Sequence, residues 1–293
     1  MFWIENDESL TELPRNIVEE MRSLRTFRVL NCNLSSLPAK MENLIDVVSV
    51  DLSYNKLQKF DVDILKWKSI MHLNLKFNNI SEYDEESMWN HPTLAALWVN
   101  SNKHFRMPRT LTMKSPSLYY LVITNNSLTF PEKFGSEQMP VLTFLYAGGN
   151  NLGSAGLPEN FDTLSNQLVH LDISRCRLLE LPLYLSTFAN LFYLDVRNNR
   201  IKYVDDELRT MLASKNMYNR ALFSSNPVCY NGTKGAQVTI NCDEMCSIYC
   251  NYKDWREDEL YPHGAPPYYC DPRCNSQECY YDGGDCLHGL IEP

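Results

Sequence analysis

The residues with the clearest potential for chemistry lie near the end of the 293-residue chain, in the segment CDPRCNSQECYYDGGDC at positions 270–286. Two carboxylates, Asp282 and Asp285, flank a pair of glycines that permit a tight bend of the backbone. Carboxylate oxygens on one side of such a bend suit Ca²⁺, which takes six to eight oxygen ligands. We therefore predict that Asp282 and Asp285 bind a metal ion and have no catalytic role.

Cysteines are concentrated around these carboxylates. The chain has ten, of which Cys32 and Cys176 stand alone and eight fall in the last 65 residues. An even-numbered cluster of this kind is typical of a disulfide framework formed in an oxidising compartment. The eight are Cys229, Cys242, Cys246, Cys250, Cys270, Cys274, Cys279 and Cys286.

Zinc is an alternative reading of the same cluster. In a reducing compartment, thiolates could hold zinc with His263 nearby, although their three-residue gaps differ from the usual C-x2-C spacing. A module held by disulfides alone, without a metal, is a third interpretation. The thiolates of the zinc reading are Cys242, Cys246, Cys250, Cys270 and Cys274.

Charge and motif content exclude several classes of function. The net charge of −9 argues against a nucleic-acid partner and against docking on an anionic membrane, because both need a basic surface. No run of eighteen apolar residues is present, so no membrane span is predicted. The chain also lacks H-E-x-x-H, G-x-S-x-G, phosphate-loop and kinase motifs, which predicts a protein that is not an enzyme.

The part of the chain before the cysteine-rich segment contains an internal repeat of the form L-x-x-L-x-L-x-x-N-x-L. Clear copies are VVSVDLSYNKL, LYYLVITNNSL and LFYLDVRNNRI, and successive copies start 23 to 27 residues apart. We call the Asn or Cys of each copy its anchor. The nine anchors are Cys32, Asn55, Asn78, Asn102, Asn126, Asn150, Cys176, Asn199 and Asn226.

This pattern resembles the leucine-rich repeat family over about the first three quarters of the chain. The resemblance implies an α/β fold, a curved solenoid with a parallel sheet on its concave face. It also implies anchor side chains that turn inward, so Cys32 and Cys176 are expected to be buried and reduced. Segments such as AKMENLI and LYLSTFAN predict helical turns on the convex side.

The beginning of the chain fits the repeat less well. Counting back from LTELP at positions 10–14 places Trp3 and Glu5 at inward strand positions, and a buried glutamate is unfavourable. The first residues, MFWIENDESL, also lack the basic and apolar regions of a secretory signal. We therefore expect a first repeat, its cap and a signal peptide to precede this sequence.

The cysteine-rich segment resembles the Notch-type repeat, or LNR module. Four cysteines, Asn275 and the D-G-G-D run match, whereas Tyr281 replaces the usual tryptophan and the loop 251–269 is longer than usual. The resemblance implies calcium binding and a small disulfide-rich module at 241–293, after a repeat domain at 1–240. The pairing that it implies is Cys246–Cys279, Cys250–Cys274 and Cys270–Cys286, which leaves Cys229 to pair with Cys242.

Aromatic residues mark a candidate ligand surface on the repeats. Because strand side chains alternate, residues two, four and six before each anchor are predicted to lie on the concave face. Aromatic residues at these positions fall on neighbouring strands and predict an apolar patch that binds a protein or peptide ligand. The alternative is that the rings merely stack on one another across the sheet. The candidate residues are Trp98, Tyr120, Phe144, Tyr146 and Tyr193.

These observations favour a secreted protein, or the extracellular part of a membrane protein, that binds a polypeptide. Glycosylation sequons at Asn33, Asn79, Asn125 and Asn231 are compatible with that location. A second hypothesis is a structural or regulatory ectodomain in which the Notch-type module shields or spaces a neighbouring domain. A third is an intracellular scaffold with a zinc-bound tail.

Overall fold

The fold was taken from a computed structural model. It describes residues 1–229 except 15, 20, 22, 112, 113, 154, 155, 218 and 219, together with Ile240 and Cys242. Strands are short and recur once per repeat. They are β1 (Phe2–Glu5), β2 (Thr26–Leu30), β3 (Ser49–Asp51), β4 (Lys59–Phe60), β5 (His72–Asn74), β6 (Glu82–Tyr83), β7 (Ala96–Trp98), β8 (Tyr120–Val122), β9 (Phe144–Tyr146), β10 (His170–Asp172), β11 (Tyr193–Asp195) and β12 (Ala221–Leu222).

Ten of these strands form one sheet, in the order β1-β2-β3-β5-β7-β8-β9-β10-β11-β12. Every pairing in it is parallel, and the repeat leucines stay in register, with Leu73 opposite Leu97 and Leu97 opposite Leu121. The predicted parallel sheet is therefore confirmed. A separate two-stranded parallel sheet, β4-β6, lies outside the main ladder.

Short helices connect the strands, as the sequence predicts. In the described part of the chain the α-helices are α1 (Glu85–Trp89) and α2 (Asp206–Ser214), and each has an aspartate at its N-cap that accepts a backbone hydrogen bond. The helical turns predicted in AKMENLI and LYLSTFAN are present in the structure, as 3₁₀ helices. The 3₁₀ helices are Met41–Asn43, Ile64–Lys66, Glu159–Asn166, Leu183–Thr187 and Pro227–Cys229.

The anchor side chains join consecutive repeats through buried hydrogen bonds. The amide nitrogen of Asn126 donates to the carbonyl oxygens of Val99 at 3.0 Å and Ile123 at 3.1 Å. Its amide oxygen accepts from the backbone nitrogen of Asn102 at 2.7 Å. One side chain thus satisfies backbone groups in two repeats, which explains why the sequence repeats this residue.

The residue before each anchor has a left-handed backbone conformation. Non-glycine residues at this position have φ between 51° and 59°, and Gly149 has φ 73°. A side chain at Gly149 would collide with the Asn125 side chain, whose Oδ1 lies 2.1 Å from the place of a Cβ. The turn after each strand of the ten-stranded sheet therefore requires a conformation that bulky side chains rarely adopt. The non-glycine residues are Asn31, Tyr54, Phe77, Ser101, Asn125, Arg175, Asn198 and Ser225.

The cysteines of the repeat region occupy the predicted positions. Cys32 and Cys176 are buried and free, and the thiol of Cys176 contacts the carbonyl oxygens of Ala147 at 3.4 Å and Ser174 at 3.3 Å. Burial raises the pKa of the Cys176 thiol to about 12, which keeps it protonated and unreactive. A disulfide joins Cys229 to Cys242 and closes the last repeat, in agreement with the pairing implied by the Notch-type resemblance.

The prediction for the first strand is wrong by one residue. Phe2 and Ile4 pack against the core, whereas Trp3 is 55% exposed and Glu5 is exposed. Ile4 lies opposite Val29 of β2. Burial of the apolar pair sets the strand register, because a shift by one residue would turn Glu5 into the core. The expected conflict at Glu5 does not arise.

Candidate ligand-binding surface

The main sheet carries apolar side chains on both faces. Leu97 and Leu121 belong to the large core beneath the sheet. Ala96, Tyr120 and Val122, which alternate with them, form a second apolar cluster separate from that core. The concave face therefore has an apolar cluster of its own, at the strands where the sequence predicts the aromatic patch.

Six aromatic rings on the concave face form a continuous chain of contacts, which we call the ring cluster. Trp98 lies 5.3 Å from Tyr120, and Tyr120 lies 5.4 Å from Tyr146, measured between ring centroids. His170 lies 4.5 Å from Tyr146 and 4.3 Å from Tyr193, and its ring is nearly parallel to that of Tyr193. The ring cluster comprises Trp98, Tyr120, Phe144, Tyr146, His170 and Tyr193.

The rings differ in their exposure. Tyr120 is only 7% exposed and His170 only 1%, so these two rings support their neighbours. The other four are half-buried. The sequence did not predict His170 as part of the patch, although it occupies the same strand position as Tyr120. Burial lowers the pKa of His170 to about 3, so its ring is neutral and packs as an aromatic group.

Polar residues occupy one strand position on either side of β7, β8 and β9. In four repeats, the residue four positions before the anchor is an Asp or Asn. Its side chain accepts a hydrogen bond from the backbone nitrogen two residues later. The corresponding residues of the three middle repeats are Trp98, Val122 and Tyr146, which extend the apolar surface instead. The polar residues are Asp51, Asn74, Asp172 and Asp195, with contacts of 2.9, 3.2, 2.9 and 3.0 Å.

A buried charge cluster adjoins the ring cluster on β10 and β11. Asp195 is fully buried and pairs with the guanidinium of Arg197, with the closest contact at 2.6 Å. Asp172 is 1% exposed and accepts a hydrogen bond from the backbone nitrogen of Ser174. Burial, followed by the charge of Asp195, raises the pKa of Asp172 to about 7.

The three sequons within the described residues lie in different environments. Asn79 is exposed, as is the serine of its sequon, Ser81. The amide nitrogen of Asn33 donates to the carbonyl oxygen of Glu8 at 2.5 Å. Asn125 is half-buried, with its side chain against Gly149. The fourth sequon, at Asn231, lies outside the described residues.

The predicted metal ligands Asp282 and Asp285 lie outside the described residues. So do the three predicted disulfides Cys246–Cys279, Cys250–Cys274 and Cys270–Cys286. The zinc alternative loses one ligand, because the Cys229–Cys242 disulfide occupies the sulfur of Cys242. Among the residues that are described, no group of three or more His, Cys, Asp or Glu side chains could hold a metal ion. Within the same ranges, no helix has both the length and the apolar character needed to cross a bilayer.

A ladder of parallel strands, one per repeat and tied together by buried anchors, defines the leucine-rich repeat solenoid. Residues 268–287 match the model of the LNR domain of Notch. The chain thus combines a leucine-rich repeat fold with a Notch-type segment.

Comparison with known proteins agrees with this assignment of the fold. Human "Leucine-rich repeats and immunoglobulin-like domains protein 1" is 25% identical over 180 residues, 54% of this chain and 16% of that protein. The structure of a leucine-rich repeat protein of Leptospira interrogans aligns with TM-score 0.59 and 20% identity, covering 83% of this chain and 65% of the other.

A chain from a solved complex is also similar in fold. The Toll–Spatzle complex of Drosophila contains a chain that aligns with TM-score 0.52 and 17% identity, covering 70% of this chain and 34% of that one. The present chain therefore spans only part of the length of the proteins that it matches.

Proposed function

We propose that this protein is an extracellular, non-enzymatic binding protein that holds a protein or peptide ligand on the concave face of its solenoid. The observation that carries this proposal is the ring cluster, a contiguous aromatic surface across strands β7 to β11. Large aromatic side chains dominate the affinity of protein interfaces, because they bury much surface at a low cost in conformational entropy.

Within the ring cluster, we assign ligand contact to the half-buried rings. Trp98, Phe144 and Tyr146 lie on strands β7 and β9, with Tyr193 further along on β11. Tyr120 lies between them and is buried, so its role is to hold the neighbouring rings in place. We therefore assign a purely supporting, stacked role to the buried ring of Tyr120 and a binding role to the half-buried rings.

Three findings support the extracellular location and the type of ligand. The Cys229–Cys242 disulfide is of a kind that persists in oxidising compartments. The LNR match at residues 268–287 adds a module that is typical of extracellular proteins. The similar chain from Drosophila was solved as a Toll–Spatzle complex, which places a protein–protein complex on a related fold.

Peptide selection tests the proposed surface. Peptides selected from a random library on the full chain should bind at least tenfold more weakly to the double variant Trp98→Ala, Tyr146→Ala, because the truncation removes two half-buried contact rings. The dissociation constant is measured by calorimetry. Tyr203→Ala is the matched control, because Tyr203 is 60% exposed and belongs to no strand of the sheet.

The outcome depends on folding as well as on affinity. The double variant should keep the melting temperature of the parent within a few degrees, since its two rings are only partly buried. If it binds the selected peptides as well as the parent does, the concave face is not the ligand surface. If it unfolds, the single variants Trp98→Ala and Tyr146→Ala, each of which removes one ring, replace it in the comparison and should each weaken binding.

We also propose that Asp282 and Asp285 bind Ca²⁺. The match to the LNR domain and the affinity of carboxylate oxygens for this ion support the assignment. Titration of the full oxidised chain with calcium should give a dissociation constant on the order of 10⁻⁴ to 10⁻³ M, as in extracellular calcium modules. Asp285→Ala should abolish the binding heat, whereas Asp46→Ala in the repeat region should retain it. Equal heats in the parent and in Asp285→Ala would refute this assignment.

A further inference from the structure

Few fully charged side chains lie on the concave face between β2 and β9. The Lys, Arg, Asp and Glu residues at the concave positions of these strands are Arg28, Asp51 and Lys76. Arg28 and Asp51 lie opposite each other on β2 and β3 and form an ion pair at 3.7 Å. Lys76, two residues after β5, forms no ion pair within the described part of the chain. This part of the concave face therefore has a cation without a counterion, although the whole chain has a net charge of −9.

An aromatic stack positions the ammonium group of Lys76. Its Nζ lies 5.6 Å from the centroid of the Tyr54 ring, and that ring stacks face to face on Phe77 with the centroids 4.5 Å apart. The electron-rich face of the ring attracts the cation and restricts an otherwise flexible side chain. Lys76 is half-buried, so a ligand group of opposite charge would meet a cation that is already ordered and partly shielded from water.

Asn100 occupies the same position as Lys76 in the next repeat. The backbone nitrogen of Phe77 donates to the Asn100 carbonyl oxygen at 2.9 Å, which places residues 76 and 100 side by side at the usual strand spacing of about 4.8 Å. The Oδ1 atom of Asn100 is buried, and neither end of its amide has a hydrogen-bond partner within the described residues. The amide nitrogen is therefore the end that faces the concave surface, where it can donate to a ligand.

These two polar groups adjoin one end of the ring cluster. Trp98 lies two residues before Asn100 on the same face, opposite Asn74 in the register of β5 and β7, and its ring is half-buried. The other end of the ring cluster, at β10 and β11, adjoins the buried carboxylates Asp172 and Asp195. Hydrogen-bond donors and a cation therefore lie at one end of the apolar surface, and carboxylates lie at the other.

We propose that the polypeptide ligand carries an acidic residue whose carboxylate binds Lys76 and Asn100, while neighbouring apolar residues pack on the ring cluster. A carboxylate accepts hydrogen bonds from both side chains, and its charge strengthens them. The asymmetry of the face also sets the direction of the ligand, with its acidic residue at β5 and β7 and its apolar part toward β9. This inference rests on the proposed function and adds the chemistry of the ligand to it.

Peptides selected from a random library on the full chain test the charge requirement. The selected peptides should contain Asp or Glu beside an aromatic or aliphatic residue. Changing that acid to its amide should weaken binding to the parent about five- to tenfold, as expected for an ion pair that is partly shielded from water. Lys76→Met keeps most of the apolar stem without the charge, so it should bind the acid and amide peptides equally. Lys56→Met removes an exposed lysine after the anchor Asn55 and, as the matched control, should retain the difference.

Calorimetry with the same peptide pair separates failure of this inference from failure of the proposed function. Asn100→Asp keeps the shape of the side chain and gives Lys76 an internal counterion, so it should weaken the acid peptide more than the amide peptide. Trp98→Ala should weaken both peptides alike. Selected peptides without acidic residues, or an acid–amide difference that persists in Lys76→Met, would overturn the inference. If Trp98→Ala still weakens such peptides, the proposed function stands, whereas unchanged binding in Trp98→Ala would count against the proposed function itself.

Discussion

Replacing Asn126 with alanine should lower the free energy of unfolding by about 2 to 4 kcal/mol. The variant would leave the backbone nitrogen of Asn102 without its buried acceptor, which costs about 1 to 3 kcal/mol. It would also remove one of the two side-chain donors of the Val99 and Ile123 carbonyl oxygens, which keep their bonds from Asn102 and Asn150. Urea denaturation followed by circular dichroism measures the loss.

Asn126→Cys is the matched control, because the repeat itself uses cysteine at Cys32 and Cys176. The thiol of Cys176 contacts two carbonyl oxygens, so cysteine at position 126 should retain part of the stabilisation. Its stability should therefore lie between those of the parent and Asn126→Ala. A loss below 1 kcal/mol for the alanine variant would contradict the role of the anchors.

Asp172 should make the stability of the repeat domain fall as the pH rises. Its pKa is near 4 in an unfolded chain and about 7 in the fold, where burial and the charge of Asp195 disfavour ionisation. Below pH 4 both states are protonated and the group has no effect. Between pH 4 and pH 7 the unfolded state loses its proton first, so the free energy of unfolding decreases across this range.

Asp172→Asn isolates this effect, because asparagine keeps an oxygen that can accept from the Ser174 nitrogen and carries no charge. The variant should be more stable than the parent at pH 8, by on the order of 2 to 4 kcal/mol, with a smaller difference at pH 5. Urea denaturation at both pH values gives the comparison. A stability difference that is the same at pH 5 and pH 8 would rule out a titration of Asp172 in this range.

The repeat spacing predicted the parts of the fold that each repeat determines locally. Anchors such as Asn126 and inward leucines such as Leu97 recur at fixed positions, and the structure places them in the core as expected. The helical turns in AKMENLI and LYLSTFAN were also predictable, because each segment follows an L-x-x-L-P ending and proline favours the start of a helix. Local pattern and tertiary packing agree at these positions.

Features that depend on contacts between repeats were not predictable from spacing. The burial of His170 arises from stacking between Tyr146 and Tyr193, which come from two other repeats. Tyr120 has the same strand position as Phe144 but is more buried, because the rings of Trp98, Phe144 and Tyr146 all pack closely against it. The first strand was misassigned because its register follows the burial of the Phe2 ring against β2.

Hydroxyl-radical footprinting of the full chain, with and without a selected peptide, tests the central claim most directly. The method reports the solvent accessibility of individual aromatic side chains. The account predicts that the peptide protects Trp98, Phe144 and Tyr146 and leaves Tyr203 unchanged. Protection of Tyr203 or other residues outside the concave face, with the half-buried rings of the ring cluster still fully reactive, would contradict it.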